Sequence, residues 1–143
     1  MIRIRAACSP GEVRVVAERD GALLDFAIWR PGLPDGVGDI HRGRIAARMP
    51  AMAGSFVALD GAEGFLPDSE GGKDAPEGTI LPVRIVRAAM GNKGPRLTAK
   101  VKDPVEAGSV GLVARGPNPI QRFAARWPDA EIWIDDAAIA AGL

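Results

Sequence analysis

The chain has 143 residues, 47% of them hydrophobic, with 18 basic and 18 acidic side chains, one histidine and one cysteine. That length suits one compact domain or two very small ones, and the apolar content argues against disorder. The composition excludes an internal disulfide and a zinc site built on a cysteine or histidine pair; without a bilayer-length apolar run or a signal-type stretch after Met1, the expectation is a soluble cytoplasmic protein with no membrane association.

Ile2–Cys8 (IRIRAAC) alternates apolar and polar residues and reads as a strand. Glu12–Glu18, the Asp20-Gly21 turn and Leu23–Trp29 read as a β-hairpin. The proline- and glycine-rich stretch Arg30–Asp39 is a connector and a candidate domain boundary. Five short β segments follow: Ile40–Met49, Gly54–Asp60, Gly64–Pro67, Thr79–Ala89 and Arg96–Lys102. Five strands at this spacing fit a small closed or nearly closed barrel, of which the OB-fold is the five-stranded example. Beyond them, Gly108–Gly116 is a strand candidate, and Pro117–Trp127 has helical spacing at Ile120, Phe123 and Trp127. Glu131–Asp135 is a further strand, and Asp136 onward reads as a last helix. The fold class is therefore mostly β with an α/β flank, the flank being interrupted by the barrel.

Net neutrality hides an uneven charge distribution. Residues 79–102 carry Arg84, Arg87, Lys93, Arg96, Lys100 and Lys102 and no acidic side chain. In the RLTAKVK segment, alternation sends Leu97, Ala99 and Val101 to one face and Arg96, Thr98, Lys100 and Lys102 to the other. Lys93 sits at the tip of a glycine loop, GNKGP, where a point charge can meet a phosphate. Arg42, Arg44 and Arg48 add positive charge at even spacing on the first barrel strand. Phe56 and Phe65 are either barrel core or a platform on which bases stack beside the cations. The pattern alone leaves both readings open, although Val57 and Leu59 already supply a core face and leave Phe56 free to look outward.

Enzyme chemistry finds little footing. The chain has no nucleophile elbow and no phosphate-cradling Walker loop. Asp135-Asp136, the one paired carboxylate, reads as the cap of the last helix rather than a magnesium site. No catalytic residue and no metal ligand is assigned.

IHRGRIAARMPAMAGSFVALDGAEGFLP and VRIVRAAMGNKGPRLTAKV resemble, in order, the RNA-binding barrel of the ribonuclease E/G family, an S-one-type OB-fold. EVRVVAERDGALLDFAIWRPG and GPNPIQRFAARWPDAEIWIDDAAIAAGL are similar to the flanks that, in that family, form an RNase H-like subdomain around the barrel. The resemblance implies a barrel over residues 37–102 inserted in a reduced RNase H-like α/β unit formed by 1–36 and 103–143. It implies single-stranded RNA as partner, held by Phe56, Phe65 and Lys93, with Arg42, Arg44, Arg84, Arg87, Arg96, Lys100 and Lys102 as further contacts. Family members cut RNA with magnesium held by aspartates of a later nuclease domain, which this sequence lacks. The expectation is RNA binding without cleavage and no cofactor in this chain, magnesium being expected only where a nuclease domain follows. The alternatives are the N-terminal fragment of an active magnesium-dependent endoribonuclease and a protein-interaction barrel; a homo-oligomer stays open. Arg115 stands in a "G-L-x-x-R" setting like that of the family's 5′-phosphate sensor, with Gly116 where a threonine is expected.

Overall fold

The computed structural model describes residues 1–135, and the chain divides into two units: Met1–Pro34 with the segment from Pro117 onward, and Asp35–Gly116. The helix expected from Asp136 lies outside the described residues.

In the first unit, β1 (Ile2–Ser9), β2 (Glu12–Arg19) and β3 (Ala22–Trp29) form an antiparallel meander, and the Asp20-Gly21 turn sets the register Arg19↔Ala22. Positive φ at both turn residues is the backbone twist that two-residue hairpins need. The helix α1 (Pro119–Arg126) starts where the sequence dictates. The Asn118 side chain accepts from the Gln121 amide at 2.8 Å, Gln121 Oε1 accepts from the Asn118 amide at 2.9 Å, and proline occupies the first turn. The final strand β10 (Glu131–Ile134) pairs parallel with β1, giving the order β10-β1-β2-β3. Alternation places Ile4, Ala6, Val13, Val15 and Ala17 on one face, where Ile120 and Phe123 of α1 complete the core.

The second unit is a closed five-stranded barrel, which makes the chain mostly β. Its strands are β4 (Ile40–Met49), β5 (Gly54–Leu59), β6 (Ala62–Pro67), β7 (Ile80–Arg87) and β8 (Arg96–Thr98). The ring runs β4-β5-β6-β8-β7 and returns to β4; every pair is antiparallel except β6–β8. That order is OB-like. Ile45, Val57, Leu59, Leu66, Val83, Ile85 and Leu97 fill the interior.

Three features depart from the sequence expectation. The strand from Arg96 ends at Thr98, which is buried rather than outward-facing. Its hydroxyl accepts from the Lys100 amide at 3.1 Å, a local turn that competes with the ladder, and the Ala99 amide donates to Glu70 O at 2.8 Å. Lys100 and Lys102 therefore do not continue the basic strand face. Next, a bulge between Ile45 and Ala47 shifts the parity of β4, so Arg48 leaves the row of Arg42 and Arg44. Last, residues 103–116, expected in the flank, belong to the barrel unit. There β9 (Gly111–Ala114) pairs with β4, and the buried Asp39 carboxylate accepts from the Gly116 amide at 2.7 Å and from Arg115 Nη1 at 3.1 Å.

Candidate nucleic-acid interface

Val57 and Leu59 of β5 and Leu66 of β6 point into the barrel, so their neighbours Phe56 and Phe65 face outward. The two phenylalanines are direct cross-strand partners. Their ring centroids lie 5.9 Å apart with planes at 70°, an edge-to-face pair, and both are half-buried rather than core. The Phe65 ring covers Gly54: a β-carbon on that glycine would lie 2.3 Å from Phe65 Cζ.

The ladder continues from this pair. Phe65 is the register partner of Arg96 on β8, and Arg96 is the partner of Arg87 on β7. One row across four adjacent strands thus reads Phe56, Phe65, Arg96, Arg87. With strands about 4.8 Å apart, it spans roughly 14 Å. Arg87 and Arg96 are like charges placed opposite each other, an arrangement that costs stability unless an anion lies between them. Neither has an ion-pair partner among the described residues.

Lys93 reaches the row by a tight turn. Met90 and Lys93 exchange two backbone hydrogen bonds of 2.9 Å, so the tip of the loop is Gly91-Asn92 and Lys93 lies on its returning arm, not at the tip the sequence suggested. Pro95 O then accepts from the Phe65 amide at 2.9 Å, which fastens the arm to β6. The result is a groove of about 570 Å³ lined by Phe56, Phe65, Arg87, Lys93 and Arg96. Met52, Glu63 and Asn92 also line it and were not singled out in the sequence. Asn92 could have been noted as part of the glycine loop, whereas nothing in the sequence marks Glu63, which lies on β6.

The remaining expected contacts lie elsewhere. Arg84 is paired with Asp103, and Lys100 with Glu70 at 3.7 Å. Arg42 Nε donates to Ser109 O at 2.7 Å and packs against Gly108. Arg44 and Lys102 are exposed and do not line the groove. Arg48 is a structural clamp: its Nη1 donates to the buried Ser55 hydroxyl at 2.6 Å and to Asp68 Oδ1 at 2.8 Å, holding the turn after β6. Arg115 is committed to Asp39, as described above.

His41, on β4 between Val83 and Leu112, is half-buried and has no hydrogen-bond partner at Nδ1 among the described residues. Burial lowers its pKa and Arg115 adds to that, while Asp39 and Asp60 pull the other way. The carboxylate of Asp135 accepts from the Cys8 amide at 2.8 Å, which ties the end of β10 to β1. Among the described residues, no group of three or more His, Cys, Asp or Glu side chains could hold a metal ion, and no helix is long and apolar enough to cross a membrane.

No protein-family model matches the chain, and no curated protein matches it.

Proposed function

We propose that the barrel binds single-stranded RNA along the Phe56–Phe65–Arg96–Arg87 row. The observation that carries this reading is the composition of the row itself: two outward rings followed by two guanidiniums with no counter-charge, Lys93 standing beside them. Rings accept bases by stacking, and cations accept the phosphates between them. A folded duplex hides its base faces, so a stacking row selects unpaired strands.

The same reading takes the chain as an N-terminal part of a ribonuclease E/G-like protein that binds RNA without cutting it. Support comes from the insertion of an OB-like barrel between β3 and α1, and from the order β10-β1-β2-β3 with its parallel β1–β10 pair, which suits an RNase H-like flank. Magnesium-dependent cleavage would then belong to a further domain.

Titration of a fluorescently labelled single-stranded RNA at several salt concentrations tests the proposal. Three cations at the groove, each contributing about −0.7 on a single strand, predict a log–log salt slope near −2. Absence of saturable binding at low salt overturns it.

A further inference from the structure

Among the described residues, the sheet β10-β1-β2-β3 is covered on one face only. Helix α1 packs on the face that carries Ile4, Val13, Val15 and Trp29. Alternation sends Leu24, Phe26 and Ile28 of β3 to the opposite face, where they are 38%, 63% and 48% exposed. Val16, the register partner of Phe26, lies on the same face. Three large apolar side chains in a row on the last strand of a sheet form an exposed ridge, and such a row marks an interaction surface. Beside the ridge lies a hollow of about 520 Å³, lined by Arg5, Ala7, Arg14, Val16 and Trp133. The short side chain of Ala7 keeps it open between Arg5 and Arg14, and Trp133, the register partner of Arg5, bounds it on the β10 side.

The charges of this face cancel. Arg3 stands 3.9 Å from Glu131, Arg5 3.6 Å from Glu18, and Arg14 3.3 Å from Glu12. Arg30 also reaches Glu12, at 3.1 Å, and Asp135 at the edge of the hollow offsets it. A face with an excess of one sign would repel its own copy, and a polyanion or a basic partner would need such an excess. What remains unmatched here is apolar area. The free edge of β3 is a poorer place for a partner than the face. The Phe26 amide donates to Asp25 Oδ1 at 2.7 Å, and Arg126 holds that carboxylate at 2.6 Å. A charged side chain held against an edge strand works against the addition of another strand.

We propose that a second copy of this chain docks on this face about a two-fold axis, the β3 ridge of each copy entering the hollow of the other. Ridge and hollow lie side by side, about two strand spacings or ~10 Å apart. One two-fold operation therefore makes both contacts at once, as a self-complementary interface requires. Three strands of eight residues give a flat footprint of about 27 by 14 Å, or roughly 400 Å² per copy. With the ridge seated, the pair buries on the order of 1,000 Å², the size of a weak, transient interface. The dimer is expected to form at micromolar concentrations and above.

Sedimentation velocity on the full chain, from about 5 to about 500 μM, tests the proposal. The weight-average mass should climb from the 15.0 kDa of one chain toward twice that value. Phe26→Lys puts an unpaired cation on the ridge and should hold the mass at the monomer value throughout. The melting temperature of the dilute variant should stay unchanged, because the side chain is exposed. Ala7→Gln fills the hollow, on the other half of the interface, and should weaken association by about tenfold. A monomer at every concentration overturns the dimer and leaves the face to a partner of different sequence. A dimer that tolerates Phe26→Lys uses another surface and overturns it as well. A dimer lost in Phe26→Lys but intact in Ala7→Gln pairs through the β3 edge, which overturns the docking of ridge into hollow. The RNA-binding reading is untouched by each of these outcomes, since every residue concerned lies in the first unit.

Discussion

Arg87 and Arg96 face each other across the β7–β8 ladder with no acidic side chain paired to either among the described residues. Like charges directly opposite in a sheet are destabilising by a few tenths up to about 1 kcal/mol. The barrel thus carries a local cost at the point where an anion would relieve it. Changing Arg87 to Gln should raise the melting temperature slightly and weaken RNA binding. A fall in both quantities would show that Arg87 serves the fold and not the ligand.

The aromatic pair separates stacking from packing. Phe56→Ala and Phe65→Ala should each weaken RNA binding by about tenfold, since stacking contributes roughly 1–3 kcal/mol per base. Their melting temperatures should fall far less than for a core phenylalanine, whose truncation costs about 3–5 kcal/mol. Thermal melts and titrations on the same preparations decide the matter, and a large loss of stability with unchanged affinity would count against the platform.

Lys93 should act as a phosphate contact at the edge of the groove. Lys93→Ala is expected to weaken binding to every single-stranded RNA and to flatten the log–log salt slope by about 0.7. An unchanged slope removes Lys93 from the phosphate path.

Gly54 offers a test that leaves every groove side chain intact. A β-carbon there would also lie 2.7 Å from Leu66 O, so both the ring of Phe65 and the β5–β6 backbone must give way. Gly54→Ala should therefore displace the Phe65 ring, weaken RNA binding and lower the melting temperature together. Near-native affinity in this variant would mean that the ring position seen here does not matter for binding.

His41 should make the barrel less stable in mild acid. Its folded pKa lies below the ordinary value of 6.5, chiefly because burial disfavours the charged ring. Above 6.5 the imidazole is neutral in both states and its contribution to stability is fully present. As pH falls below 6.5, the unfolded chain takes up a proton that the folded chain still refuses, so stability declines until the folded pKa is passed. Melts at pH 7.5, 6.5 and 5.5 should show this decline, and His41→Gln should flatten it. An equal pH dependence in the variant would assign the effect to other groups.

Much of this was legible in the sequence. Alternation marked β1 and the core face of β5, because a half-buried strand needs an apolar residue at every second position. The same rule turned Phe56 outward once Val57 and Leu59 were taken by the core. The Asp20-Gly21 turn was equally local, since it depends on a few consecutive residues satisfying their own backbone. What the tertiary structure alone decided was which side chains meet. No pattern within β8 says that it lies between β6 and β7, yet that placement brings Arg96 level with both Phe65 and Arg87. The bulge after Ile45 took Arg48 away from the basic row, and the turn at Thr98 ended a strand that alternation would have carried to Lys102. Register, bulges and strand order depend on contacts between distant parts of the chain. Cations that look alike in sequence were sorted by that pairing into the groove beside Phe56 and Phe65, a clamp for a turn, and partners for Asp103 and Glu70.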